Sequence, residues 1–267
     1  MSLITNNINE ELNKIKEIIL LSLPFSQENF GKMIRSQIGI LILKAHDIIP
    51  KKEHYSILAA TELVHTASLL HDDVIDNNDI RRNQKNIKNI IGNKASILMG
   101  NITLTKGVEK LLSINSTNIM TLFNDTIMNM NKGELLQYSM QDKIPTIEEY
   151  ITKTQLKTAI LFETMIKSLK IISPQIIENT PLYGLNYGIG FQIKNDLEDF
   201  KTTKNDILNG VYTAPYIYTK KYNEKIGIEK TISLIDNYTK KAIKSVEDLK
   251  EGQYKETLIG VAECLKK

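Results

Sequence analysis

Several residue types and patterns are scarce in this sequence. Its 267 residues include one cysteine, Cys264, six prolines and no tryptophan. A single cysteine excludes an internal disulfide and suits a reducing compartment. A net charge of +3, spread over scattered lysines, excludes a dense nucleic-acid-binding tail. No apolar run is long enough for a transmembrane segment, and the Asn-rich N-terminus lacks a signal-peptide pattern, so we expect a cytoplasmic protein.

The apolar residues follow the spacing of helices rather than the alternation of strands, which predicts an all-α chain. Thr146 and Glu149 form a capping-box pattern that predicts a helix start. No internal repeat or linker is visible, so we predict one domain over residues 1–267. The predicted helices cover about 7–22, 31–46, 54–76, 94–112, 117–140, 146–169 and 182–199, with loops at 77–93 and 200–210 and further helical segments over 212–267.

An acidic cluster, Asp72, Asp73 and Asp76, follows an apolar helical stretch and precedes Arg81 and Arg82. On a helix, positions i and i+4 share a face, so Asp72 and Asp76 point the same way. Carboxylates this close repel one another unless a cation lies between them, and Mg²⁺ takes oxygen ligands together with substrate phosphates. Arginines offer forked donors to phosphate oxygens. The stretch therefore predicts a site that binds a phosphorylated substrate through magnesium. The structural alternative is a solvated acidic helix end.

A second acidic cluster lies far along the chain. Asn195 and Asp199 repeat the i, i+4 spacing, and Asp196 stands beside them. Two such clusters on two helices can face each other across a cavity. Their joint presence argues against a merely solvated acidic helix end. The two clusters together favour one site for a phosphorylated substrate.

In this order the motifs resemble the trans-polyprenyl (isoprenyl) diphosphate synthase family, in particular its long-chain, octaprenyl-type bacterial members. The resemblance covers nearly the whole chain. It implies a single-domain, all-α isoprenoid synthase fold, a bundle of antiparallel helices around a central cavity. The motifs that carry it are Gly31-Lys32-x-x-Arg35, Glu62 and His65, Asp72-Asp73-x-x-Asp76 with Arg81-Arg82, Gly133-Glu134, Lys157-Thr158-Ala159, and Gly190-Phe191-Gln192 before the second cluster.

The resemblance implies head-to-tail prenyl transfer. Such an enzyme condenses isopentenyl diphosphate onto an allylic diphosphate and releases pyrophosphate, with about three Mg²⁺ ions once substrate is bound. The metal neutralises the leaving group, the C–O bond ionises, and the double bond of isopentenyl diphosphate attacks the allylic cation. The family also implies a homodimer and a membrane-bound product, whereas the composition indicates no nucleic-acid partner.

The family's site residues carry over position by position. His65, Lys32 and Arg35 each have a structural alternative, as a core histidine or as helix-surface charges. The resemblance assigns metal binding to Asp72, Asp76, Asn195, Asp196 and Asp199; isopentenyl diphosphate binding to Lys32, Arg35, His65 and Arg82; allylic diphosphate binding to Arg81, Lys157 and Gln192; and catalysis to Asp72, Asp73, Asp76, Lys157, Thr158 and Gln192, with Thr158 beside the cation.

The chain departs from the family pattern at several positions. Met33 and Ser36 stand where the family usually has a basic residue and a proline. Asn195 replaces the usual first aspartate, and an amide binds magnesium more weakly than a carboxylate does. Val211 follows Gly210 where a lysine is frequent, and we expect Lys204 to substitute for it in part as a substrate-binding residue.

Product length is predicted from the helix that leads into the first cluster. One helical turn rises about 5.4 Å, close to the length of one extended isoprene unit. Ala67 and Ser68, one turn before Asp72, are small, and Val64 in the next turn is not large. An open path past them predicts a long-chain product, around C40, for a quinone side chain. The facing helix, around residues 103–107, or the Met-rich one could still close the path.

Three alternatives stay open. A short-chain synthase would stop at a farnesyl or geranylgeranyl product (C15 or C20). A class I terpene cyclase needs no isopentenyl diphosphate pocket, and residues 195–203 do not match its second metal motif. A non-catalytic subunit of a heteromeric synthase tends to lose its aspartates, whereas Asp72, Asp73 and Asp76 are intact here.

Overall fold

A computed structural model describes residues 2–23, 31–75, 80–81, 84–85 and 92–267. Helices dominate these residues, which confirms the all-α prediction. Two short strands, β1 (Ile80–Arg81) and β2 (Gln84–Lys85), pair antiparallel. Within these ranges, no helix combines the length and the apolar character that a membrane crossing needs.

Most helices lie close to their predicted bounds, but the first begins at Ser2 rather than at residue 7. The second helix begins at Ile34 rather than at Gly31, because Gly31 and Met33 have φ angles of 61° and 46°, in the left-handed region. The predicted loop at 200–210 contains a short helix. The helices are α1 (Ser2–Leu20), α2 (Ile34–Ala45), α3 (Lys52–Ile75), α4 (Asn93–Leu112), α5 (Thr117–Ser139), α6 (Ile147–Thr154), α7 (Ile160–Ile172), α8 (Thr180–Lys201), α9 (Asn205–Leu208), α10 (Ala214–Lys221), α11 (Glu224–Lys244) and α12 (Gln253–Glu263), followed by a 3₁₀ turn (Cys264–Lys266).

The chain divides into two compact units. Unit 1 contains Met1–Ile40 and Ile49–Thr121, and unit 2 contains Leu41–Ile48 and Leu122–Lys267. The first acidic cluster belongs to the sequence of unit 1 and the second to that of unit 2. The interpretation of residues 1–267 as one domain stays a prediction.

In unit 1, α3 packs against a row of small residues on α4. A Cβ atom added at Gly107 would lie 3.4 Å from Leu63 Cβ, and one added at Gly100 would lie 2.4 Å from His71 Nε2. The Ser96 hydroxyl donates to the Leu70 carbonyl oxygen at 3.2 Å. The close approach fixes the part of α3 that leads into the first cluster. The buried members of the row are Ser96, Gly100, Thr103 and Gly107.

A polar contact joins α1 to α3 in unit 1. The Tyr55 hydroxyl donates to Glu11 Oε2, and Lys14 Nζ lies 3.0 Å from the same oxygen. The contact lies near the start of α3, far along the helix from Asp72. It therefore anchors α1 without touching the acidic cluster.

In unit 2, glycines let α8 approach the backbone of its neighbours. A Cβ atom at Gly184 would lie 2.7 Å from the Phe162 carbonyl oxygen, and one at Gly188 would lie 2.7 Å from Ala159 Cα. The Tyr187 ring packs edge-on against Phe162 with centroids 5.6 Å apart. These contacts fix the rotation of α8, and with it the direction of the side chains at its C-terminal end.

Candidate active site

A π turn interrupts the predicted helix that begins at Thr146. The capping box of Thr146 and Glu149 is present as predicted, but residues Gln155–Ala159 form a wider turn in which the Ile160 N–H donates to the Gln155 carbonyl, five residues back. The prediction of an uninterrupted helix is wrong here, since periodicity carries no signal for one inserted residue. Such single turns occur frequently at functional sites, and this one carries Lys157 and Thr158.

Gly133 and Glu134 on α5 contact this π turn. A Cβ atom at Gly133 would lie 2.6 Å from the Lys157 backbone nitrogen, so only glycine permits the approach. The next residue, Glu134, forms an ion pair with the Lys157 ammonium group. The two residues thus hold the backbone and the side chain of Lys157.

A chain of hydrogen bonds connects the π turn to the second acidic cluster. The Thr158 hydroxyl donates to Gln192 Oε1 at 3.2 Å, and Gln192 Nε2 donates to Asp196 Oδ1 at 2.7 Å. The Tyr150 hydroxyl donates to the other carboxylate oxygen, Asp196 Oδ2, at 2.5 Å. Three predicted site residues therefore meet, together with a tyrosine that the sequence did not single out.

The charges around Asp196 are strongly affected by burial. Burial raises the pKa of Asp196, and the Lys153 ammonium group acts in the opposite direction. Burial also raises the pKa of Tyr150 well above its ordinary value, so this hydroxyl stays protonated and can donate. Burial lowers the pKa of Lys153, against the influence of Asp196. A buried lysine next to a buried aspartate was missed because helical spacing alone does not align Lys153 with α8.

Asp199 anchors the loop that follows α8. Its carboxylate accepts the backbone N–H groups of Asn205, at 3.2 Å, and Asp206, at 3.1 Å, as well as the Thr203 hydroxyl. Burial raises the pKa of Asp206 to about 7, and the carboxylates of Asp196 and Asp199 add to the rise. Asp206 is therefore a third carboxylate of this region, one that the sequence motif did not mark.

Lys204 and Gly210 show how this loop is held. Lys204 adopts a φ of 54°, is exposed, and places Nζ 5.7 Å from the centre of the Phe200 ring. Gly210, with a φ of 71°, accepts the Asp142 N–H at 2.8 Å, and a Cβ atom there would overlap the Asp142 carboxylate. A substrate-binding role for Lys204 stays a prediction.

The first acidic cluster is described in part. At the end of α3 in unit 1, Asp72 is half-buried and Asp73 is buried. Arg81 is described only as a backbone position in β1, and Asp76 and Arg82 lie outside the described residues. The i, i+4 pairing of Asp72 with Asp76 stays a prediction.

Glu62 and Ser36 form a buried contact that accounts for one departure from the family pattern. Glu62 Oε1 accepts the Ser36 N–H at 3.0 Å and the Ser36 hydroxyl at 2.8 Å. A proline at position 36 would supply neither donor. Burial raises the pKa of Glu62, while the charge of Arg35 opposes the rise. Arg35 is itself buried, so its environment differs from that of a helix-surface charge.

Lys32 and His65 also lie in unit 1. Lys32 is exposed and lines a cavity of about 270 Å³ together with Lys16 and Asn9. His65 is half-buried, and its carbonyl oxygen accepts the Ser68 hydroxyl at 2.9 Å. The roles predicted for Lys32 and His65 in diphosphate binding remain predictions.

Of the residues predicted to set product length, Val64 contacts the row of small residues on α4. Val64 and Ala67 are buried, and Val64 Cγ2 would lie 3.5 Å from a Cβ atom at Gly107. The stretch 103–107 is therefore the part of α4 beside this segment of α3, as the sequence suggested. Among the described residues, the side chains nearest to Gly107 are those of Leu63 and Val64.

The chemistry of the donors suits a hard divalent cation. Each carboxylate offers about four lone-pair sites, and Asp196 uses one on each oxygen for Tyr150 and Gln192, which leaves sites for a metal. Oxygen-only donors match the preference of Mg²⁺. In the described part of the chain, no three His, Cys, Asp or Glu side chains form a metal-binding group, and the predicted ligand Asp76 is not in that part.

Comparison with known proteins identifies the family. The polyprenyl synthetase family model matches residues 20–253, which is most of the chain, so this protein belongs to that family. Solanesyl-diphosphate synthase 1, mitochondrial, from Oryza sativa subsp. japonica is 28% identical over 288 residues, covering 94% of this chain and 66% of that protein. The chain spans 58% to 66% of the length of three such curated relatives.

Two solved structures show the fold. Heptaprenyl diphosphate synthase from Staphylococcus aureus has a TM-score of 0.87 at 23% identity, with 97% of this chain and 98% of that chain covered. The polyprenyl synthase from Caulobacter crescentus CB15, complexed with calcium and isoprenyl diphosphate, has a TM-score of 0.87 at 20% identity, with 98% and 96% covered. These likenesses show the all-α fold of prenyl diphosphate synthases.

Proposed function

We propose that this chain is a Mg²⁺-dependent trans-prenyltransferase that condenses isopentenyl diphosphate head to tail onto an allylic diphosphate. The observation that carries the proposal is the partly buried hydrogen-bond chain from Thr158 through Gln192 to Asp196, beside the Lys157–Glu134 ion pair. Family membership supports it. A site for an anionic leaving group needs donors and charges that are held in place before the reaction starts.

The reaction breaks one bond and forms another. The allylic C1–O bond breaks, and pyrophosphate leaves with the electron pair. The double bond of isopentenyl diphosphate then attacks C1 to form the new C–C bond, and loss of a proton from the adjacent carbon restores a double bond. The departing pyrophosphate accepts that proton, so the products are pyrophosphate and a prenyl diphosphate five carbons longer.

The chain's own residues bind and orient the two substrates. Lys157 and Gln192, with Arg81, hold the allylic diphosphate, and the Thr158 oxygen faces the developing cation. Magnesium, about three ions, supplies positive charge to the leaving oxygens when bound, with Asp72, Asp76, Asn195, Asp196 and Asp199 as its protein ligands. Catalysis thus depends on Asp72, Asp73, Asp76, Lys157, Thr158 and Gln192.

Isopentenyl diphosphate is assigned to basic residues of unit 1. Lys32, Arg35, His65 and Arg82 bind its diphosphate. The cavity lined by Lys32 and Lys16 supports this assignment, because two ammonium groups there favour an anion. The need for this second substrate separates the proposal from a terpene cyclase.

We expect a long-chain product of around C40, for a quinone side chain. Small or modest side chains at Ala67, Ser68 and Val64, and the glycine that faces Val64, favour passage of a long tail. The solanesyl and heptaprenyl names of the relatives favour the same outcome. The shorter farnesyl and geranylgeranyl products are the alternative, and a cytoplasmic location stays a prediction.

A homodimer is expected from the family and from exposed apolar residues on α5. On α5, Met128, Leu135 and Tyr138 are 46%, 68% and 72% exposed. Their spacing puts them on one helical face, and large exposed apolar side chains that share a face favour a protein partner. Sedimentation of the wild type and of Leu135→Lys tests this; a monomeric wild type would contradict it.

The decisive experiment sizes the products of the purified chain. With farnesyl diphosphate, excess isopentenyl diphosphate and Mg²⁺, we expect long prenyl diphosphates and stoichiometric pyrophosphate. Asp196→Asn should lower turnover by about 100-fold to 1,000-fold, as removal of a preorganised electrostatic group does. Turnover without isopentenyl diphosphate would favour a cyclase, a single geranylgeranyl product would overturn the long-chain assignment, and inactivity of the chain alone would favour a non-catalytic subunit.

A further inference from the structure

Lys153 on α6 is a buried charged residue to which no predicted role applies. Its side chain is 6% exposed, although lysines are almost never fully buried unless they are paired. Its ammonium nitrogen lies 5.0 Å from the centre of the Tyr150 ring. The hydroxyl of that ring donates to Asp196 at 2.5 Å, so Lys153 belongs to the surroundings of the second acidic cluster.

The other basic side chains of this region have different surroundings. Lys157 is paired with Glu134, and Lys204 is exposed on the loop after α8. Position 211, after Gly210, is a neutral valine. Among the described residues of this region, Lys153 is thus the buried ammonium group that remains to balance Asp196.

Two carboxylates act on Lys153. Asp196 and Asp206 both interact with it electrostatically; Asp196 is buried and Asp206 is half-buried. A buried charge is costly unless a charge of opposite sign lies close by. The Lys153 ammonium group therefore offsets part of the negative charge that the two carboxylates carry when they are ionised.

We infer that Lys153 is a positioning residue for the allylic diphosphate site: its buried ammonium group balances Asp196 and Asp206 and so holds the second acidic cluster in its binding arrangement. The inference rests on the proposed function, since it assigns this cluster to the diphosphate. Lys153 acts through Asp196 and Gln192 rather than on the reacting atoms.

The first test needs no substrate. A double-mutant cycle compares the urea unfolding midpoints of the wild type, Lys153→Met, Asp196→Asn and the double variant. We expect Lys153→Met to lower the midpoint in the wild-type background and to lower it by less than half as much when Asp196 is already neutral. Equal effects in the two backgrounds would overturn the inference. Lys153→Gln, which keeps a polar side chain, replaces Lys153→Met in the cycle if the methionine variant does not fold.

The second test separates a positioning role from general destabilisation. Lys153→Met should raise KM for the allylic diphosphate about tenfold and leave KM for isopentenyl diphosphate within about twofold. Lys167→Met is the matched control, because Lys167 is half-exposed on α7 and pairs with Glu163 at 2.7 Å. Equal changes in both KM values, or the same change in the control, would overturn the inference. A wild type without turnover would instead overturn the proposed function, and the unfolding cycle would still decide the role of Lys153.

Discussion

The two acidic clusters belong to units that are held together in different ways. In unit 1, the glycines of α4 approach side-chain atoms of α3, the Leu63 Cβ and the His71 ring. In unit 2, Gly133, Gly184 and Gly188 approach backbone atoms. Side chains can repack around a change, whereas backbone atoms of packed helices cannot move without moving the helix.

Hydrogen bonding sharpens this contrast. In unit 2, Asp196 accepts bonds from Tyr150 and Gln192, and Gln192 in turn accepts one from Thr158. In unit 1, the buried Glu62 accepts two hydrogen bonds from Ser36, and Glu62 lies more than two turns before Asp72 on α3. The network of unit 2 includes a member of its acidic motif, so we expect turnover to be sensitive to small substitutions in that network.

The largest contrast is expected when one hydroxyl is removed from each unit. Tyr150→Phe deletes a donor to Asp196 and should lower turnover by about 10-fold to 100-fold, the usual cost of losing a group that orients a metal ligand. Tyr55→Phe removes a partly buried hydroxyl that donates to Glu11 in unit 1, away from the acidic cluster. It should leave turnover within about twofold of the wild-type value. Steady-state kinetics with both substrates measures the difference. Similar losses in the two variants would contradict the idea that the Asp196 network is special.

A smaller contrast is expected from alanine in place of glycine. Gly188→Ala pushes a methyl group against Ala159 Cα and should lower the free energy of unfolding by about 1–3 kcal/mol. Gly107→Ala meets Leu63 at an ordinary contact distance, and the better helix propensity of alanine should raise stability by up to about 1 kcal/mol. Urea unfolding of both variants tests this pair. If Gly107→Ala is as damaging as Gly188→Ala, the two units are packed equally tightly.

The smallest contrast concerns one histidine in each unit. Burial lowers the pKa of His46 and of His54 below 6.5. In the folded protein, His46 Nε2 accepts the Ile177 N–H at 3.1 Å, and His54 Nδ1 accepts the Lys51 N–H at 2.9 Å, and both contacts require an unprotonated nitrogen.

The sign of the pH effect follows from these pKa values. Below pH 6.5 the unfolded chain binds more protons at these histidines than the folded chain does. The stability that the two neutral histidines contribute is therefore complete above pH 6.5 and is lost as the pH falls below it. A pKa that is lowered by one corresponds to about 1.4 kcal/mol of free energy of unfolding. In His46→Gln and in His54→Gln, we expect the urea unfolding midpoint to decrease less steeply as the pH falls below 6.5. An unchanged slope in both variants would show that these rings do not contribute.

How much the sequence revealed depended on the kind of feature. The helix start at Thr146 was predicted because a capping box is a local pattern of four residues. The meeting of Thr158, Gln192 and Asp196 was expected only through the resemblance to a family. Tyr150 and Lys153 were missed, because they are 46 and 43 residues from Asp196 and nothing in their spacing points to it.

The sequence by itself determined the helical class, the order of the motifs and the family, since these depend on spacing along the chain and on residue types. Only the tertiary structure decided that a π turn presents Lys157 and Thr158, that Gly133 allows α5 to touch that turn, and that Tyr150 and Lys153 surround Asp196. The physical reason is that hydrogen bonds, burial and charge balance depend on distances between segments, which a local pattern does not specify.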